Sequence, residues 1–233
     1  MLKCTFPRLL IHISLLSLLL FLQSCRWELS NNSSVLNQHP EKHDSSEHFL
    51  SNPDIGRDVW QKPDLVIRQL GDLTGKTIAD IGAGTGYFSF RLVAKAEKVI
   101  AIEIDTSAIR SIEESKLKLP EPFRPKLETR LANEHDPMLR DNEVDIIVII
   151  NTIAYIKNIP AYLETLKKGL KKGGTLMIVD YKMKKLPIDA PPKSERIYLD
   201  VVETMLEKAG YTEVKTNDTS LDYQYIITAK YEY

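Results

Sequence analysis

From Pro63 onward, short β-branched runs alternate with longer segments of helical periodicity. The runs Thr77–Ile81, Lys98–Glu103, Lys126–Leu131, Val144–Ile150 and Thr175–Tyr181 read as strands. Several are almost continuously apolar, as in Asp145-Ile-Ile-Val-Ile-Ile150, the pattern of a strand covered by helices on both faces. Helices fit Pro63–Leu70, Tyr87–Ala96, Ser107–Lys118, Pro160–Leu170 and Ile197–Ala209, the last stopping at Gly210. Strict strand–helix alternation implies parallel strands joined by crossovers, so the expected fold class is α/β, a Rossmann-like doubly wound sheet. The tail departs from this pattern. Glu213–Thr216 and Tyr223–Lys230 read as strands joined by a short connection, which makes them antiparallel and sets one strand against an otherwise parallel sheet.

The first 25 residues follow another logic. Lys3 and Arg8 precede an apolar run from Leu9 to Leu22 that is too short for a full membrane span of ~20 residues. The run ends in Leu22-Gln23-Ser24-Cys25, which resembles the lipobox of bacterial lipoproteins and marks Cys25 as a lipidation site. Gln23 is bulkier than the small residue usual there. The alternatives are an uncleaved apolar anchor and a mistranslated upstream extension. The expected organisation is a signal at residues 1–25, a linker at 26–53 and a folded domain at 54–233. The linker is rich in Ser, Asn, His and Glu, and His39, His43 and His48 have no metal-ligand spacing. The expected location is a membrane-associated lipoprotein of the bacterial envelope, or the cytoplasm if the signal is unused.

Composition narrows the chemistry. The chain has 233 residues, 43% hydrophobic and 27% charged, enough for one substantial core. A formal net charge of -1 supplies no field that would attract phosphate backbones, so a nucleic-acid partner is not implied. Lysines at 167, 168, 171, 172, 182, 184 and 185 read as solvated helix and loop ends. Both cysteines, Cys4 and Cys25, lie in the signal, leaving no thiol in the domain for a disulfide, a zinc site or a nucleophile; no metal is expected.

The strongest local signal is Asp80-Ile-Gly-Ala-Gly-Thr-Gly-Tyr87, between the first strand and the next helix. Glycines there allow close approach of a ligand to the backbone and accept positive φ, while the helix start presents unpaired N–H groups. Glu103 ends the second strand, 21 residues after Gly82, where a carboxylate accepts hydrogen bonds from ribose hydroxyls. Together they predict a nucleoside site. A dinucleotide fingerprint would place a third glycine at Tyr87, and no Walker lysine follows, so nicotinamide dinucleotides and nucleoside triphosphates are disfavoured.

From about Trp60 to Ala229 the chain resembles the class I S-adenosylmethionine-dependent methyltransferases. Asp80-Ile-Gly-Ala-Gly-Thr-Gly86 is similar to their first motif, whose backbone faces the methionine part of the cofactor. The resemblance implies that Asp80, Gly82, Ala83, Gly84 and Gly86 form that loop, with Asp80 meeting the methionine amino group. It also implies that Glu103 holds the ribose, Ile104 lies against the adenine, and Asn133 and Glu134 stand in the adenine-contacting loop Ala132–Asp136. Asn151 would face the sulfonium and the acceptor. Trp60-Gln-Lys-Pro63, the prolines from Pro187 to Pro192, and Asp222-Tyr-Gln-Tyr225 resemble a group of small bacterial methyltransferases that carry paired histidines after the fourth strand; this chain has Ala154-Tyr155 there. Trp60 is either a cover over the cofactor or a core anchor.

A sulfonium methyl is already activated, so positioning and exclusion of water dominate. No catalytic residue is assigned; Tyr155, Tyr181, Tyr225 and His135 are proton-transfer candidates by placement only. Asn151-Thr-Ile-Ala154 lacks the Asn/Asp-Pro-Pro-aromatic motif of amino-methylating nucleic-acid enzymes, so the expected acceptor is a small molecule. The alternative is a membrane-tethered nucleoside-binding module of the same fold without transfer activity.

Overall fold

The computed structural model describes residues 53–232; the expected signal, most of the expected linker and the expected lipidation at Cys25 lie outside the described residues. Seven strands form one sheet in the order β3-β2-β1-β4-β5-β7-β6. They are β1 Thr77–Ile81, β2 Lys98–Glu103, β3 Leu127–Leu131, β4 Val144–Ile150, β5 Leu170–Tyr181, β6 Thr212–Asn217 and β7 Gln224–Tyr231. Strands β1 to β5 pair in parallel, and β7 runs antiparallel to both β5 and β6. The expected single reversed strand is therefore β7, inserted between β5 and β6.

The α-helices are α1 Pro53–Gln61, α2 Pro63–Arg68, α3 Ser89–Leu92, α4 Thr106–Lys116, α5 Ile159–Gly169 and α6 Leu199–Lys208. Alternation along each strand sorts its side chains onto two cores. Ala79, Ile81, Ile100, Ile102, Ile147 and Ile149 join Leu163 and Leu166 of α5 and Val202 and Leu206 of α6. Ile78, Val99, Ala101, Ile146, Val148 and Ile150 join Val66 and Ile67 of α2, Leu92 of α3 and Ile112 of α4. Both faces are covered, which is why the central strands are apolar at nearly every position.

Three local features depart from the pattern, two of them through glycines at positive φ. Helix α1 occupies Pro53–Gln61, next to the segment that composition marks as linker. Helix α3 is four residues long, because Gly86 at φ +88 turns the chain left-handed and delays regular helix until after Phe88. Strand β5 starts at Leu170, earlier than Thr175: Leu170 pairs with Val144 and Thr175 with Ile146, and the intervening residues bulge out through Gly173 at φ +74. Of the lysines expected at solvated ends, Lys167 donates to the Ala209 carbonyl at 2.6 Å beyond the end of α6, and Lys171 pairs with Asp145 at 2.8 Å.

The order places a reversal of winding between β1 and β4, where the chain has built outward to β3 and then returns to the other side. In such sheets, ligands bind at the carboxyl ends of the strands beside that reversal. The ends of β1, β2 and β4 meet there.

Candidate functional site

Above the ends of β1, β2 and β3 lies a cleft of about 280 Å³, bounded by Gly82, Glu103, Ile104, Asn133, Thr152 and Tyr155 among others. Its floor is apolar, from Ile81 and Ile102, and Ile104 is 54% exposed at its rim. A flat heteroaromatic ring suits such walls, with polar groups at the edges to orient it. Glu103 is fixed at both oxygens. Its Oε1 accepts from the Ile104 amide at 2.7 Å and the Asp105 amide at 3.2 Å, and its Oε2 accepts from the Gly84 amide at 2.8 Å. A carboxylate offers about four acceptor positions, so capacity remains for a hydroxyl donor.

The three glycines of the loop have different tasks. A Cβ on Gly82 would stand 2.3 Å from Thr152 Cγ2, so this glycine lets the segment after β4 close against the end of β1. A Cβ on Gly86 would meet the Phe90 ring at 2.7 Å, which is packing beneath the loop. Gly84, at φ +56, has nothing within 4 Å of such an atom, and it is the glycine whose amide reaches Glu103.

Of the cofactor residues expected from sequence, Gly82, Glu103, Ile104, Asn133 and Glu134 line the cleft. Asn133 Oδ1 accepts from the His135 and Asp136 amides, both at 2.9 Å, and Glu134 pairs with Lys157 across the mouth. Asp80, Ala83, Gly84, Gly86 and Asn151 are not among the lining residues. Asp80 is 3% exposed behind the loop, where the Ser89 hydroxyl donates to it at 2.6 Å. Burial pushes its carboxyl up to about 6, opposed by the Ser89 hydrogen bond and the Arg57 charge.

Asn151, at φ +58, turns its carboxamide away from the cleft into a buried cluster. Its Oδ1 accepts from Gln61 Nε2 at 3.2 Å and from Gln224 Nε2, and Gln61 Nε2 also donates to Gln224 Oε1 at 2.8 Å. The end of α1, the end of β4 and the start of β7 are thereby joined by amides. Trp60 rests 6.0 Å from the Tyr181 ring over the end of β5, not along the cleft.

The sequence reading gave no role to Arg57, Gln61, Thr152, Asp180 or Gln224, although Gln61 and Gln224 lie within the motifs Trp60–Pro63 and Asp222–Tyr225. The Arg57 guanidinium lies 3.9 Å from the Tyr87 ring centroid, and its Nε donates to Gln61 Oε1 at 2.5 Å. Tyr87 also receives Arg91 at 3.9 Å and donates its hydroxyl to Asp58, so the position where a dinucleotide fold has glycine is a hub fastening α1 to the glycine loop. The Pro-Asp start of α1 and its helical spacing of apolar residues are sequence signals that could have found this helix.

Asp180, on β5, is 2% exposed. Its Oδ1 accepts from the Tyr181 amide at 2.7 Å, while Oδ2 is buried with no hydrogen-bond partner. Burial pushes this carboxyl to about 6, opposed chiefly by the hydrogen bond from the Tyr181 amide and more weakly by the nearby Ala154 amide and the Arg196 charge. Among the sequence candidates for proton transfer, Tyr155 stands at the cleft, 59% exposed. Tyr225 is buried with its hydroxyl donating to the Ile197 carbonyl at 3.3 Å, Tyr181 is buried beneath Trp60, and His135 is exposed. Among the described residues no cluster of His, Cys, Asp and Glu could hold a metal ion.

Residues 72–228 match the family model described as a methyltransferase domain. The chain is 30% identical over 138 residues to a demethylmenaquinone methyltransferase of Lactococcus lactis, covering 56% of this chain and 51% of that protein. It is 27% identical over 170 residues to a tRNA U34 carboxymethyltransferase of Haemophilus influenzae, covering 68% and 52% respectively. The chain thus spans about half the length of these curated relatives. A solved structure of a SAM dependent methyltransferase from Aquifex aeolicus superposes with a TM-score of 0.70 at 26% identity, covering 80% of this chain and 97% of that one. With the reversed β7, the glycine loop and the carboxylate after β2 all in place, the chain belongs to the methyltransferase domain family, in its class I, S-adenosylmethionine-dependent form.

Proposed function

We propose that this domain binds S-adenosylmethionine across the ends of β2 and β1 and transfers its methyl group to a small-molecule acceptor beyond the ends of β4 and β5. The main support is the Glu103 carboxylate, held over the Gly84 amide at the edge of an apolar-floored cleft. There the residues fit the cofactor: Glu103 would hold the ribose, Ile104 and Asn133 would border the adenine, and Asp80 would serve the amino-acid end behind the loop.

When bound, S-adenosylmethionine supplies a methyl group on a sulfonium. The protein's own part is positional. Amides from Ile104 and Asp105 fix the Glu103 carboxylate before any ligand arrives, so little ordering remains to be done on binding. Thr152 and Ile156 close the side of the cleft toward β4 and reduce access of water. At the acceptor end, the unpartnered Asp180 Oδ2 suits an acceptor that presents an N–H or O–H, and a carboxyl raised to about 6 can take that proton near neutral pH.

The test is calorimetry with S-adenosylmethionine and with nicotinamide dinucleotides, followed by S-adenosylhomocysteine release in an acceptor screen. The screen includes demethylmenaquinone and tRNA, after the names of the two relatives above. Binding of S-adenosylmethionine and release with a small molecule support the proposal. Release with tRNA alone overturns the choice of acceptor, and binding without any release favours the non-transferring module. If Cys25 is lipidated, as its lipobox-like context suggests, the domain would be held at a membrane surface; recovery of an unlipidated, soluble protein on cell fractionation would overturn that reading.

A further inference from the structure

We infer that the ion pair between Glu134 and Lys157 is a latch across the adenine end of the cleft, and that it sets how fast the cofactor enters and leaves. This rests on the proposed nucleoside site. Glu134 belongs to the loop after β3 and Lys157 to the segment after β4, and both line the cleft. Their direct bond therefore ties one wall to the other. With that tie made, the cleft holds about 280 Å³, less than the roughly 300–1,000 Å³ usual for small-molecule sites. A nucleoside enters when the walls part.

The way the loop after β3 is held decides which part of it yields. At its base, Arg130 forks onto Glu143 at 2.7 and 2.8 Å and donates to the Met138 carbonyl at 3.0 Å. The Arg130 and Glu143 side chains are largely buried, so breaking that fork would strand charge away from water. The Ala132 amide is likewise fixed, donating to the Glu103 carbonyl at 2.9 Å. Between these points the turn Asn133–Asp136 closes on itself through Asn133 Oδ1, and Asp136 Oδ1 accepts from the Met138 amide at 2.7 Å. Such a turn shifts as a unit. Its tie to the opposite wall, Glu134–Lys157, is half to two-thirds exposed, and an exposed ion pair is worth at most about fivefold in an equilibrium. The base therefore holds while the tip opens. The hydrogen bond and charge of Lys157 keep the Glu134 carboxyl below its usual range, so at neutral pH the pair is charged and salt is what loosens it.

Surface plasmon resonance on the immobilised full chain measures association and dissociation of S-adenosylhomocysteine, which has no net charge at neutral pH, so salt does not act on it by steering. In Lys157→Met both rate constants should rise together, by about two- to fivefold. From about 0.05 to 0.5 M NaCl the wild-type rates should rise by a similar factor, while those of Lys157→Met stay level. The charge-swapped protein, Glu134→Lys with Lys157→Glu, should return to slow rates. Faster dissociation with unchanged association would mean that Lys157 holds the ligand by contact and gates nothing, and unchanged rates would mean that the pair is idle; either overturns the inference. So does a salt response equal in wild type and variant, or a swapped protein as fast as Lys157→Met. Should Lys157→Met fail to fold by circular dichroism, Glu134→Gln is measured in its place with the same expectations. A wild type that binds no S-adenosylhomocysteine would instead show that the nucleoside site itself is wrong.

Discussion

The Gly84 amide donates to Glu103 Oε2 at 2.8 Å, so the carboxylate that ends β2 is turned over the loop that ends β1. One side chain thus joins the two local features most indicative of a nucleoside. Replacing it should be felt in binding before it is felt in folding. Glu103→Ala is expected to weaken S-adenosylmethionine binding by 10- to 100-fold, corresponding to about 1.5–3 kcal/mol for hydrogen bonds to a charged group. Calorimetry measures the affinity and circular dichroism the fold; full affinity in a folded Glu103→Ala protein would reject the ribose assignment.

Gly82 and Gly84 both have positive φ, yet their alanine variants should differ. Gly84→Ala meets open space and bears only the backbone cost of a left-handed residue, about 1 kcal/mol. Gly82→Ala bears the same cost and collides with Thr152, so it should be destabilised by at least about 1 kcal/mol more. Adding Thr152→Ala should recover part of that difference. Equal urea midpoints for the two single variants would refute the close approach.

Gln61 is fully buried and donates to both Asn151 and Gln224. Gln61→Leu leaves those two amides short of partners, and the expected loss is about 1–3 kcal/mol in urea unfolding. A loss below about 0.5 kcal/mol would show that the cluster does not fasten α1 to the sheet.

Asp180 titrates at about 6 in the fold because burial disfavours its charged form. A carboxyl raised in the native state binds its proton more tightly there than in the unfolded chain. Its contribution to stability therefore falls as pH rises from the ordinary carboxylate range through 6. A rise of that size amounts to about 3 kcal/mol when complete. Asp180→Asn should gain on the wild type by about 1 kcal/mol or more between pH 5 and pH 7.5, measured by urea unfolding. Parallel curves for the two proteins would contradict a raised Asp180. In turnover, the same variant should lose the acidic limb of the pH profile while S-adenosylmethionine affinity is kept.

The sheet was legible in the sequence because strands buried on both faces must be apolar at nearly every position, and β1, β2 and β4 begin and end where that pattern does. The glycine loop and Glu103 were legible for a related reason: a strand end and the turn after it are local, so their spacing survives in one dimension. What the sequence left undecided was which polar groups meet. Gln61, Asn151 and Gln224 come from three distant segments, and a polar residue in a one-dimensional pattern reads the same whether it faces water or a partner. The same ambiguity hid Asp180, which looks like a solvated strand end and lies 2% exposed. It also hid the division of labour among the glycines, since only the path of Thr152 and the Phe90 ring decides which one is left open. Periodicity reports how much of an element is buried; the identity of a contact depends on chain crossings that the fold alone creates.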